Sequence, residues 1–506
     1  MSADLVVGVD SSTTACKVVV WDGQGQAVAE GRAGFPLENP APDGWEQDAR
    51  QWWRALSEAS RAAVAGIAPE RLGALCVTHQ RETFVLTDAL GEPVHPALVW
   101  MDARGADQVD RACAVLTAER LHRISGKPPC VTPSLYKLLG LLDREPALAE
   151  SSPWMLDVHA YLVDKLTGER VTSLAAADPT GLVDMDERAW SLPILDLAGL
   201  SVEQLPQLVE PGTVIGEVTR KAAAATGLPA GLPVVAGAGD GQCAGLGAGI
   251  TEPGRAYLNL GTAIVSGVLS ETYRTDRAFR TLYDATGRHY FLETDLQGGT
   301  FTVTWLVDRW LRRGAESRSF DEVLAELDAE AATLPVGAEG LVVVPYWNGV
   351  MNPYWDDAAT GVVLGLRGDH GPAHLFRAIL EGIALEQRLH TTGVESASGS
   401  IGSFVAMGGG SKSPLWCQIL ADVLGRPVQR AGSSEATCLG AAILAAPVAG
   451  LHPDVDTATM AMTSLGTIFA PGEATPRYDR LYRDAYRGLF EDLRDRMHRL
   501  WRWRQG

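Results

Sequence analysis

Two stretches half a chain apart are written in the same grammar, and this repetition limits the fold more than any other feature. Near the start an apolar run, Leu5 to Val9, meets the polar bend Asp10-Ser11-Ser12-Thr13-Thr14, a β-branched run from Lys17 to Trp21, and the turn Asp22-Gly23-Gln24-Gly25. That order reads as a meander of strands. Far downstream, Ala256 to Leu260 reads as a strand, Gly261-Thr262 as a small polar bend, and Ile264 to Leu269 as a second strand. Each copy stands where one of two similar halves would begin. The Gly- and Ala-rich stretch Pro229 to Gly254 lies between them, which places a boundary near Gly249 and domains at 1–249 and 250–506. Within the first half, Asp48 to Val64 carries Trp52, Ala55, Leu56 and Ala59 on one helical face, and Ala74 to Thr78 reads as a buried strand. Strand and helix alternate onward, as in an α/β layer architecture.

A chain of 506 residues can form two cores with a cleft between them. Hydrophobic residues at 46% and charged residues at 21% suit a globular protein. The net charge of −19 repels a polyanion, so nucleic acid is not an expected partner. The one basic run, Arg494 to Arg504, accompanies Leu493, Met497, Leu500 and Trp501 at helical spacing. Such a stripe is expected to dock as a terminal helix on its own domain rather than on a membrane. Met1 to Asp10 lacks the basic start of a signal peptide, and no apolar run is long enough to span a bilayer. Cys16, Cys76, Cys113, Cys130, Cys243, Cys417 and Cys438 are scattered and never spaced C-x-x-C, which fits a reducing cytoplasm better than a disulfide framework or a zinc site. Nothing fixes the oligomeric state, and a homodimer is compatible with the sequence.

Three polar or glycine-rich turns follow apolar strands: Asp10 to Thr14, Gly261-Thr262, and Gly408 to Ser413 ahead of a helix starting near Pro414. Such turns offer N–H groups and hydroxyls to an anion, and the third adds a helix N-terminus; a bare turn is the alternative for each. No G-x-x-x-x-G-K-[ST] occurs, since Gly126-Lys127 runs into Pro128. After the strand Leu232 to Ala236, Gly239-Asp240-Gly241-Gln242-Cys243-Ala244 fits a dinucleotide fingerprint only in its permissive form, and Asp240 would repel a pyrophosphate. An Asp at the end of a buried strand between two glycines suits a general base better, because small neighbours let a substrate hydroxyl approach. A turn-stabilising Asp is the alternative. Asp10 also ends a buried strand and suits a Mg²⁺ held partly through water. His370 and His374 have helical ligand spacing, but Gly371 and Pro372 interrupt it, and no G-x-S-x-G or H-E-x-x-H is present.

Gly361-Val362-Val363-Leu364-Gly365-Leu366, followed by His374-Leu375-Phe376-Arg377-Ala378-Ile379-Leu380-Glu381, resembles the second signature of the FGGY family of carbohydrate kinases. That family lies within the actin and hexokinase fold group. The first signature departs around Lys137-Leu138, where Gly140 stands in place of the family's usual Trp. The other matches keep the family's order: Asp10 to Thr14 resembles the first phosphate motif, Gly239 to Gln242 the catalytic segment, Leu260-Gly261-Thr262 the second phosphate motif, and Met407 to Ser413 the adenosine motif. Glu435-Ala436-Thr437 with Leu439-Gly440-Ala441-Ala442 resembles the helix that follows. The resemblance implies two ribonuclease-H-like domains around a central cleft, sugar on the first and ATP on the second. It further implies Asp240 as catalytic base, Mg²⁺ near Asp10 and Asp240, and ATP on Ser12, Thr13, Thr14, Lys17, Gly261, Thr262, Gly408, Gly409, Gly410 and Ser413.

Trp45-Glu46-Gln47-Asp48 and Gln51-Trp52-Trp53 resemble the xylulokinase branch. Where xylulokinases usually carry Gln-Met-His, this chain has Gln80-Arg81-Glu82, a pair similar to that of glycerol kinases and of kinases of the autoinducer-2 signal. The donor fork of Arg81 and the acceptors of Glu82 suit a vicinal diol, with an Arg–Glu ion pair shaping the wall as the alternative. Trp100 offers a flat face to sugar C–H groups, Asp102 and Arg104 are expected to complete the pocket, and Asp240 and Gly241 to touch the substrate. The expected reaction is ATP-dependent phosphorylation of a terminal hydroxyl, most simply of a ketopentose such as xylulose. Glycerol, a tetritol or the autoinducer-2 signal are the alternative acceptors. Outside this class stand a non-catalytic actin-like ATP-binding module and a dehydrogenase, which would need an acid where Leu260 stands.

Overall fold

Strands Leu5–Ser11 (β1), Ala15–Asp22 (β2), Ala27–Gly34 (β3), Leu72–His79 (β4), Val214–Glu217 (β5) and Pro233–Val235 (β6) form one sheet, in the order β5-β6-β4-β1-β2-β3. The computed structural model describes residues 3–151, 153–312 and 318–505. In that sheet β1, β2 and β3 run antiparallel, β4 and β6 extend it in parallel, and β5 closes the edge antiparallel. Leu5, Val6, Val7 and Val9 of β1 are all buried, as a strand covered on both faces requires.

The second half repeats the pattern. Arg255–Leu260 (β7), Ile264–Ser270 (β8), Arg280–Tyr283 (β9), Tyr290–Leu296 (β10), Ser403–Met407 (β11), Val428–Ala431 (β12) and Leu465–Phe469 (β13) lie in the order β9-β10-β8-β7-β11-β12-β13. Here β7, β8 and β10 form the antiparallel meander, β11 and β12 the parallel extension, and β13 the antiparallel edge. The echo of strand, bend and strand in the sequence therefore marks the first hairpin of each of two ribonuclease-H-like halves.

Helices cover both sheets. Ala49–Val64 (α1) begins at Asp48, whose carboxylate accepts from the Arg50 N–H, and buries Trp52, Ala55, Leu56, Ala59 and Ala63. That side chain satisfies one of the N–H groups that a helix start leaves unpaired. Ser134–Arg144 (α2) carries Lys137. Asp240–Gly247 (α3) packs Ala244, with Ala248 just past its end, against Tyr257 and Val405 of the second sheet, whereas Ala436–Ala445 (α7) joins the core of the first with Val6 and Ala74. The two helices cross at Gly247 and Gly440, where a Cβ on either would overlap the carbonyl of Ala436 or Cys243. The crossing fastens one half to the other.

Thr300–Leu306 (α4), Pro372–Ser398 (α5) and Pro414–Leu424 (α6) belong to the second half, and Leu489–Gln505 (α8) closes the described chain. The stripe expected on α8 divides: Met497 is buried and Leu493 packs beside it, but Leu500 and Trp501 are exposed. The last turns project past the surface on which the first ones dock. Among the described residues no helix is long and apolar enough to cross a membrane, and the seven cysteines are free.

Candidate active site

Asp240 does not end a strand. The chain leaves β6 at Val235, passes Gly239 as the N-cap, and places Asp240 in the first turn of α3, where the positive end of the helix favours a carboxylate. Its Oδ1 accepts from the Gly241 N–H at 2.8 Å and lies 3.0 Å from Arg81 Nε. The side chain remains 38% exposed. The flanking glycines admit Arg81: a Cβ at Gly239 would stand 2.5 Å from Arg81 Cγ, and one at Gly241 would stand 2.8 Å from Arg81 Nη2. The space expected for a substrate is occupied by the stem of an arginine.

Arg81 and Glu82 do not pair with each other. Arg81 Nη1 lies 2.9 Å from both oxygens of Glu293, Arg280 Nε donates to Glu293 Oε1 at 2.8 Å, and Arg280 Nη1 donates to Glu82 Oε1 at 2.8 Å. Tyr257 adds a hydroxyl donor to Glu293. Despite complete burial, the two guanidinium groups hold Glu293 down to about 2. The vicinal-diol donors expected of Arg81 are thus engaged by protein carboxylates. Glu82 sits at φ 56°, a left-handed backbone costing about 1 kcal/mol or more in a non-glycine residue.

The remaining wall residues divide between bracing and facing the cleft. Gln80, expected in the pocket, is buried and gives its amide to Gln47 Oε1 at 2.9 Å, which also accepts from Trp52 Nε1. Asp102 is likewise buried and accepts from Trp45 N, Arg104 N and Arg104 Nε, so it fixes a loop. Trp100 Nε1 donates to Thr13 Oγ1 at 3.0 Å and ties the wall to the turn after β1. Behind Arg81, Gln242 Nε2 and the Tyr283 N–H donate to the buried Asp178, whose partner is Lys127 Nζ at 3.4 Å. Burial raises Asp178 to about 6.

Arg280, Glu293, Lys127 and Asp178 were not singled out from the sequence. A signal existed for one pair: Glu293 and Asp295 place two acids on alternate positions of a strand that begins Tyr290-Phe291-Leu292, and Arg280 is in register with Glu293 across β9 and β10. Charges on the buried face of a strand require partners.

Asp10 presents the opposite situation. The residue is half-buried, but its Oδ1 is buried with no hydrogen-bond partner. Burial, then the Asp240 and Glu435 carboxylates, push it up to about 8. Lys17, across the hairpin from Asp10, is drawn to Glu435 at 2.8 Å and Glu30 at 3.1 Å. An orphaned carboxylate oxygen among acids is a fitting place for a hydrated divalent cation. Among the described residues no three His, Cys, Asp or Glu side chains converge into a direct metal cage, His370 and His374 included; their rings simply stack.

The three turns differ in what they leave open. Ser12 Oγ donates to the Ala15 carbonyl and closes the first turn, leaving Thr14 exposed. The carbonyls of Gly261 and Thr262 accept from the Thr300 and Phe301 N–H groups of α4, with the Thr262 side chain exposed. Gly408, at φ 80°, lies against Asn259 and Leu260 of β7, so the second and third turns adjoin; a Cβ there would stand 2.5 Å from Asn259 Oδ1. Gly410 is also closed, by Trp416, whereas a Cβ on Gly409 meets nothing within 4 Å. Ser413 caps α6, accepting from Trp416 N and donating to Asp328 at 2.8 Å.

Residues 5–247 match the model of the FGGY family of carbohydrate kinases, N-terminal domain, and residues 256–449 match that of the C-terminal domain. The chain is 30% identical to the xylulose kinase of Escherichia coli over 87% of its length and 89% of that protein. It is 30% identical to the glycerol kinase of Thermococcus onnurineus over 87% of its length and 88% of that protein. The solved xylulose kinase from Rhodospirillum rubrum superposes with a TM-score of 0.88 at 31% identity, covering 98% of this chain and all of that one, 100%.

Proposed function

The chain belongs to the FGGY family of carbohydrate kinases and is an ATP-dependent kinase of a sugar or polyol hydroxyl; we propose that this hydroxyl is the terminal one of a ketopentose such as xylulose, and that Asp240 takes its proton. One observation carries the assignment of the base. Oδ1 of Asp240 is held by Gly241 N and Arg81 Nε, and no protein donor among the described residues holds Oδ2. A carboxylate pinned on one oxygen presents the other in a fixed direction. As the sugar oxygen attacks the γ-phosphorus, its proton passes to Oδ2, the bond from phosphorus to the β,γ-bridging oxygen breaks, and ADP leaves.

The turns Ser12 to Thr14 and Gly261-Thr262 supply N–H groups and hydroxyls for the phosphates, and Gly409 gives the adenosine an open stretch of backbone. Mg²⁺ would be held by Asp10, whose Oδ1 is without a partner, and by Asp240, and when bound would offset the charge of the β- and γ-phosphates. On this reading residues 1–249 hold the sugar and the base, and residues 250–506 hold the nucleotide. Seven free cysteines support a cytoplasmic setting.

A neutral acceptor is supported by charge balance, because Arg81, Arg280 and Lys127 are matched by Glu82, Glu293 and Asp178. A carboxylate-bearing sugar would find no free cation in that set. A ketose is favoured by the full-length likeness to the Rhodospirillum rubrum xylulose kinase. The test is ADP release by purified protein with ATP and Mg²⁺ against xylulose, ribulose, glycerol, erythritol, gluconate and the autoinducer-2 precursor. Xylulose is expected to give the highest kcat/KM. Glycerol or the autoinducer-2 precursor ahead of it would move the substrate to that branch, and gluconate ahead of it would overturn the neutral-acceptor reading.

A further inference from the structure

Glu293 is fully buried and so cannot touch a sugar, yet two buried guanidinium groups and a phenol hydroxyl converge on it. Arg81 Nη1 approaches both of its oxygens at 2.9 Å, Arg280 approaches from the other side through Nε at 2.8 Å and Nη2 at 2.7 Å, and Tyr257 donates its hydroxyl. The far edge of the Arg81 guanidinium meets the catalytic carboxylate, with Nε 3.0 Å from Asp240 Oδ1. One planar group therefore bridges a carboxylate of the second sheet and the base at the start of α3. Because the guanidinium is flat and rigid, fixing Nη1 fixes the direction of Nε. That direction decides which oxygen of Asp240 is clamped and which is left for the substrate.

We propose that Glu293 is the positioning residue of this kinase: acting through Arg81, the second half of the molecule aims the base. Glu293 stands on β10, whereas Arg81 follows β4 of the first sheet, so the aim of the base depends on the docking of the two halves. Gly241 is required by the same arrangement, since a Cβ there would stand 2.9 Å from Glu293 Oε2 as well as against Arg81. Arg280, itself tied to Glu82 at 2.8 Å and lying 3.7 Å from Asp295, prevents Glu293 from turning away. The inference rests on Asp240 being the base.

The experiment compares Glu293→Gln, Asp240→Asn and the double variant on the best sugar from the screen. Gln keeps the shape of Glu293 but cannot hold the guanidinium by charge. Glu293→Gln is expected to lower kcat on the order of tenfold or more while the ATP KM stays within about twofold, a split that a merely structural loss would not give. In the double variant the rate should equal that of Asp240→Asn alone, because positioning has no effect once the base is absent. Wild-type kcat in Glu293→Gln, or a further fall in the double variant, would overturn the proposal. Wild-type kcat in Asp240→Asn would remove the base itself, and this inference with it. If Glu293→Gln does not fold, Tyr257→Phe serves in its place: it removes one hydrogen bond to Glu293 without touching a charge. A fall in kcat of about twofold or threefold at constant ATP KM is then expected, and no change counts against the proposal.

Discussion

Charges are buried in two ways around the cleft. Arg81, Glu293, Arg280 and Glu82 form an open ring, unclosed between Arg81 and Glu82, in which every ion meets an opposite one within 3 Å. Asp10 Oδ1 and Lys137 are buried without such a partner: Asp10 Oδ1 has none at all, and Lys137 reaches only the carbonyls of Thr132, Trp100 and Val131. Burying an unpaired charge costs several kcal/mol, roughly, whereas a satisfied network holds a geometry. The ring is thus a finished scaffold that orients the base. Asp10 is left incomplete in a setting where Asp240 and Glu435 repel it, which is the condition a divalent cation relieves.

The largest effect is expected from breaking the ring. Arg280→Met leaves Glu82 Oε1 buried without its donor, a loss of about 3–5 kcal/mol. A denaturation midpoint unchanged from wild type would show that the ring is not a scaffold. Next comes the residue that belongs to both groups, since Asp240 is clamped by Arg81 and repels Asp10. Asp240→Asn should lower kcat at least about a hundredfold, with ATP binding measured by calorimetry unaltered. Near wild-type turnover would remove Asp240 from the chemistry. A smaller loss is expected from Asp10→Asn, about tenfold in kcat, together with a melting temperature that holds or rises because a carboxyl repelled by two neighbouring carboxylates is gone. Added Mg²⁺ should raise the melting temperature of the wild type and leave that of the variant in place. A falling temperature in Asp10→Asn would erase the distinction between the two kinds of burial.

What was legible in the sequence was local. The hairpins β1–β2 and β7–β8 announced themselves through β-branched runs and polar bends, and α1 through its 3.6-residue stripe and the Asp48 cap. Asp240 stood out by its glycines, although the reason differs: they accommodate Arg81 rather than a substrate. The links of the ring between the two halves were invisible because their partners are 212 residues apart for Arg81 and Glu293 and 198 apart for Arg280 and Glu82. No spacing rule links a loop after a strand of one sheet to the strands of another. For the same reason Gln80 and Asp102 could not be told from pocket residues; only their partners Gln47, Trp45 and Arg104 show them turned into the wall.

The smallest effect, and the finest test of the comparison, concerns Lys137. It lies on α2, fully buried, and burial lowers it to about 8 from 10.5, against the opposing pull of Glu82 and Asp102. Its acceptors are the carbonyls of the chain segments on either side of the pocket wall, so it acts as a brace between them. Between pH 8 and pH 10.5 the unfolded chain carries more protons at this position than the folded one, so the contribution of Lys137 to stability grows as pH rises through that window and is lost as pH falls through 8. Lys137→Met removes the titration while keeping a chain of similar length, and it leaves the same carbonyls short of a donor at every pH. The wild type should therefore gain on the variant by about 1 kcal/mol between pH 7 and pH 9, read as the difference between their chemical-denaturation curves. Parallel pH dependence in the two proteins would mean that Lys137 keeps its proton throughout, and that its carbonyls satisfy the ammonium as fully as carboxylates satisfy Arg81.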